Sequence, residues 1–155
     1  MGEVELFIDG LDFGEGPRWH ENSLWYSDFF QHRVYKVDIK GQRETVLELD
    51  NEQPSGLGWL PDGNLLVVGM LRKQVLKWNG KKLEVHADLS KIATSHCNDM
   101  VVNKNGDAYV GNFGFDYGAG EEPLGASLAL IKIDGSVSSV AENLQFPNGS
   151  VITPD

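Results

Sequence analysis

GEGPRW (14–19), PSGLGW (54–59), CNDMVV (97–102) and PNGSVI (147–152) open four segments of the chain in the same way. A small or polar entry leads into an apolar run, and the matching second positions hold Glu15, Ser55, Asn98 and Asn148. The openings recur at intervals of 40, 43 and 50 residues. Self-similarity at such a period marks a stacked or radial architecture, in which each repeat is one supersecondary unit.

The first apolar run ends in turn chemistry: His20–Ser23, Pro61–Asn64 and Asn103–Asp107. Asp-Gly and Asn-Gly pairs tolerate positive φ and close tight turns. Second strands follow as LWYSD (24–28), LLVVG (65–69) and AYVGN (108–112), and third strands as RVYKVD (33–38), QVLKWN (74–79) and ALIKID (129–134). Lys36, Lys77 and Lys132 match in the third strands, each flanked by apolar residues, as in a half-buried strand with lysine facing out. Outer strands are expected at 44–49, 83–89 and 136–144. Four antiparallel strands per unit describe a β-propeller blade. The chain is read as one all-β partial propeller domain, 1–155, with blades at about 10–50, 51–90 and 91–145. Orphan strands are expected at 4–8 and 148–152, so that about half a ring is present. Two such half-rings could complete each other through their open edges as a homodimer.

With 155 residues, 41% of them hydrophobic, the chain can build a core, and its 18 glycines suit many short strands. A formal charge of −10 disfavours nucleic acid and anionic membranes as partners. No apolar run is long enough to span a bilayer, and MGEVELFIDG lacks the parts of a signal peptide. Cys97 is the only cysteine, so no internal disulfide is expected and a cytoplasmic location is.

Strand alternation puts Glu15, Ser55, Asn98 and Asn148 at the starts of the innermost strands, on one mouth of the channel. The long connection NFGFDYGAGEEPLGA (112–126) falls over the same mouth and reads as a substrate lid, with Glu121 and Glu122 able to reach a substrate hydroxyl. A carboxylate with carboxamides suits a hard divalent cation: calcium first, then magnesium or manganese. His96–Cys97 without spaced partners is only a weak zinc signal. Bland readings stand beside these. Glu15 and Asn148 both sit in good turn contexts, Asn98–Asp99 suits an Asx turn, and His96 could simply satisfy a loop carbonyl. Ser55 reads as channel filler, Cys97 as a small buried apolar residue, and Trp19, Trp25, Trp59 and Trp78 as inter-blade core.

At GEGPRW (14–19), QPSGLGWLPDGNLLVV (53–68), HCNDMVVNKNGDAYVGNFGFD (96–116) and LQFPNGSVITPD (144–155), the chain resembles the N-terminal half of the SMP-30/gluconolactonase/LRE-like (regucalcin) family. The resemblance implies a six-bladed propeller with one divalent metal in its channel and hydrolysis of a sugar lactone or related ester. Family ligand positions match Glu15 and Asn148, and Asn98 matches a position that contacts substrate or water. The family's general-base aspartate would lie beyond residue 155. An arginine that some members carry near the position of His96 has no counterpart here. The alternative reading is a half-propeller that binds calcium or another ligand without turnover.

Overall fold

The computed structural model describes residues 3–154, so Met1, Gly2 and Asp155 at the ends of the expected 1–155 unit lie outside the described residues. The described residues contain twelve strands and no helix. The first sheet runs β1 (Gly14–His20), β2 (Ser23–Asp28), β3 (Arg33–Asp38), β4 (Arg43–Glu48). The second is β5 (Pro54–Trp59), β6 (Leu65–Gly69), β7 (Gln74–Trp78), β8 (Leu83–Asp88), and the third β9 (Cys97–Val102), β10 (Ala108–Asn112), β11 (Ala126–Ile131), β12 (Val137–Leu144). Each is a four-stranded antiparallel meander in chain order. Three such sheets make a partial propeller of about three blades.

The blades pack face to face through apolar side chains. Leu57, Val67, Leu65, Val34, Leu47 and Trp25 fill the space between the first and second blades. Met100, Val68, Leu66, Val110, Ile131 and Cys97 fill that between the second and third. Burial raises the Cys97 thiol to about 12, so it packs as a small apolar side chain. At Gly56 the inner strands come too close for any Cβ, which would run into the Met100 backbone nitrogen.

Alternation explains why the tryptophans divide. His20 faces the second blade and stacks on Trp59 with ring centroids 3.8 Å apart. Its neighbour Trp19 points the other way and is 63% exposed, so it is not inter-blade core. Lys132 also departs from the repeat. β11 begins and ends earlier than ALIKID implies, and Lys132 opens a turn closed by Gly135, with its Nζ 3.0 Å from Asp107.

Neither orphan segment is a strand. Residues 4–8 and 148–152 carry no strand ladder among the described residues. The N-terminal segment instead lies over the free face of the first blade. Ile8 packs on Tyr26, Tyr35 and Val37, Arg43 donates to the Asp9 carbonyl at 2.9 Å, and Gln31 donates to the Gly10 carbonyl at 3.1 Å.

Candidate functional site

The same irregularity recurs where each inner strand begins. Between Glu15 and Arg18, between Pro54 and Leu57, and between Cys97 and Met100, the inner strand carries one residue more than its partner. Such a bulge bends the strand and re-aims the side chain beside it. It includes Ser55 and Asn98 in the second and third blades and directly follows Glu15 in the first, where Glu15 still pairs with Ser27.

One cavity of about 520 Å³ opens at this end, and Glu15, Asn98, Asn148 and His96 all line it. Ser55 is absent from the lining. It is fully buried, its Oγ lacks a hydrogen-bond partner, and its carbonyl accepts from Ser27 Oγ at 2.6 Å. Glu121 and Glu122 are not brought to the cavity either. Both are exposed, and Glu121 accepts the Asp116 backbone N–H at 2.8 Å within its own loop. The long loop reaches the cavity through Tyr117 and Gly118 instead.

Burial, reinforced by the nearby Asp99 carboxylate, holds Glu15 above the ordinary carboxylate range, although a Gly16 N–H bond pulls the other way. No ion pair to Glu15 occurs among the described residues. Asp99, by contrast, is ion-paired. Arg18 reaches from β1 past the second blade and donates through Nη2 to Asp99 Oδ1 at 2.7 Å and to the Met100 carbonyl at 2.6 Å. Asp99 stands where the repeat has Gly16, Gly56 and Gly149, so it is the departure from the pattern that recruits the arginine. Asn98 is 3% exposed, and its amide nitrogen lies 3.5 Å from the Pro147 carbonyl. Pro147 also sits flush against Gly111, where a Cβ would collide with its carbonyl. Those two contacts hold the Pro147–Asn148 segment at the cavity without a strand ladder.

Sequence reasoning missed the rest of the lining, though the repeat carried its signal. Two positions before the aligned residues stand Phe13, Gln53, His96 and Phe146, and all four line the cavity. The first residue after each second strand is Phe29, Met70 or Phe113, and these line it too. The cavity is therefore made of equivalent positions of successive repeats. Among the described residues, no three His, Cys, Asp or Glu side chains cluster as a metal group, and Glu15 is the one carboxylate in the lining.

A family model described as SMP-30/gluconolactonase/LRE-like region matches residues 13–155. No curated protein matches the chain at a significant level. Among solved structures, a gluconolactonase of Xanthomonas campestris is similar at 20% identity and a TM-score of 0.75, over 92% of this chain and 52% of that one. A calcium-binding regucalcin of Agrobacterium tumefaciens C58 gives 18% and 0.68, over 86% and 44%. A chain of a nidogen/laminin complex gives 14% and 0.71, over 88% and 51%. The chain thus spans about half the length of these structures, and at such identities the likeness shows the fold alone.

Proposed function

The chain belongs to the SMP-30/gluconolactonase/LRE-like family, and from that membership we propose a divalent-cation-dependent hydrolase of lactones or related esters. The observation that carries the reading is the meeting of Glu15, Asn98 and Asn148 in one cavity, with Glu15 lacking a cationic partner there. Side-chain oxygens from one carboxylate and two carboxamides fit a hard cation, calcium first, with magnesium or manganese as alternatives. Zinc is a further alternative: Cys97 is buried and absent from the lining, but His96 lines the cavity together with Glu15.

A divalent cation held there supplies Lewis acidity toward an ester carbonyl and toward water. The chain's own groups do the positioning. Glu15 and Asn148 hold the cation, and Asn98 orients substrate or water. Arg18 keeps the Asp99 carboxylate engaged, so that Glu15 remains the free anion of the site. His96 is an imidazole of the lining, within the cavity that substrate would enter. The base that takes the proton of water is expected from a carboxylate of a second copy of the chain that closes the ring, or from outside residues 1–155.

Calorimetric titration of the purified chain with calcium, beside lactone hydrolysis before and after chelation, tests the reading. Micromolar to millimolar calcium binding that Glu15→Gln removes supports it. Unchanged hydrolysis after exhaustive chelation contradicts it. A second reading, a calcium- or ligand-binding module without turnover, is favoured by one observation: the lining offers no carboxylate besides Glu15 to act as base. It requires calcium-dependent stabilisation with no metal-linked hydrolysis.

A further inference from the structure

We infer that the substrate of this site carries a flat apolar ring fused or joined to its acyl group, in place of the hydroxyl-bearing carbons of a sugar lactone; this rests on the hydrolase reading above. Two aromatic walls face the cavity. Phe13 and Phe29 of the first blade stack with centroids 4.4 Å apart and planes 26° from parallel. Phe113 and Phe146 of the third unit stack at 4.4 Å and 25°. Met70, 3% exposed, stands between them at the matching position of the second blade. A cavity lined by stacked rings favours a planar apolar guest.

The polar groups are few: Glu15, Asn98, Asn148, Gln53 and His96 at the inner-strand starts and the residues before them, and the Tyr117 phenol of the long loop. That number serves one carbonyl and a cation. A sugar lactone would also bring a hydroxyl on nearly every ring carbon, and those lying against phenylalanine and methionine would lose water without gaining a partner. No arginine or lysine lines the cavity to supply forked donors to such hydroxyls. A ligand with one polar end and a planar apolar body matches both parts of the lining.

The reaction on such a substrate is ordinary hydrolysis. The oxygen of water adds to the acyl carbon, and the bond from that carbon to the ring oxygen breaks. The released oxygen takes up one proton of water as a phenol or alcohol, and the other goes to solvent as the new acid ionises.

Dihydrocoumarin and D-glucono-δ-lactone share a six-membered lactone ring and differ in the body attached to it. With calcium present, kcat/KM for each is measured and divided by its uncatalysed rate constant. The expected result is a preference of at least about tenfold for dihydrocoumarin. Binding of its non-hydrolysable lactam isostere, 3,4-dihydroquinolin-2-one, is followed separately by calorimetry. Phe146→Ser and Phe30→Ser, both at exposed rings of the lining, the second edge-on to Phe13 and Phe29, are each expected to weaken lactam binding about tenfold while melting within a few degrees of the parent. A preference for the sugar lactone, or no lactam binding, overturns the inference even if hydrolysis is metal-dependent. Lactam binding that both variants weaken, with neither lactone hydrolysed, supports the aromatic pocket while overturning the hydrolase reading.

Discussion

At the scale of single residues, the site holds two acidic groups under opposite treatment. Asp99 is tied by Arg18, while Glu15 is half-buried without a cation and sits above the ordinary carboxylate range. A carboxyl whose folded-state pKa is raised contributes stability that is present below about pH 4 and lost as pH rises through the raised value. Wild-type protein without metal is therefore destabilised at pH 7 relative to Glu15→Gln, which is expected to melt higher in thermal scans under chelation. Calcium should reverse the order, since at a hundredfold excess over its Kd it adds about 2.7 kcal/mol to wild type alone. Arg18→Met is expected to cost about 2–3 kcal/mol in urea unfolding. It leaves the nearly buried Asp99 charge unpaired, although Arg18 keeps some solvent contact. Removing Asp99 as well, in Arg18→Met with Asp99→Gly, should restore part of that loss, because Gly is what the repeat carries at this position elsewhere.

At the scale of elements, each blade must anchor the connection that follows its second strand, and the anchors differ. Asp28 receives the backbone N–H groups of Asp12 and Gln31 at 2.7 and 3.2 Å, and Asn112 receives that of Gly114 at 3.0 Å. The second blade has Gly69 at this position, and the Glu52 carboxylate fills the space its missing side chain leaves, 3.0 Å from where a Cβ would stand. Glu52, 2% exposed, accepts from Gln53, Leu71 and Arg72 N–H groups at 2.9, 2.8 and 3.1 Å. Glu52→Ala should cost about 2–3 kcal/mol in the same unfolding assay, because three part-buried backbone N–H groups lose the buried carboxylate that accepts them. Such exchanges mark how far the sequence could be read. Strands and turns were legible from period-two alternation and Asp-Gly or Asn-Gly pairs, and register of the repeat brought Glu15, Asn98 and Asn148 together. Glu121 and Glu122 lie outside the lining, and Glu121 accepts within its own loop; loop membership does not say which way a carboxylate turns. The aromatic lining was overlooked although Phe13, Phe29, Phe113 and Phe146 occupy repeat-equivalent positions, because rings in a β protein are first read as core.

At the scale of the molecule, three blades leave two faces that no further blade covers among the described residues. The first blade's is partly roofed by Ile8 and its neighbours. Beyond the third, Val151 and Ile152 are 87% and 46% exposed. Exposed apolar side chains at an open sheet face favour association. Light scattering after size exclusion is expected to give the mass of a dimer, two copies supplying the six blades of a closed ring. A monodisperse monomer at micromolar concentration would show instead that each half-ring stands alone.

The central claim, that Glu15 and Asn148 hold a divalent cation on which lactone hydrolysis depends, is tested most directly by one cycle of assay, chelation and calcium return on wild type and Glu15→Gln. Expected is hydrolysis that disappears on chelation and returns with calcium in wild type, and that stays absent throughout in the variant. Hydrolysis that survives chelation, or that Glu15→Gln retains in full, would contradict it.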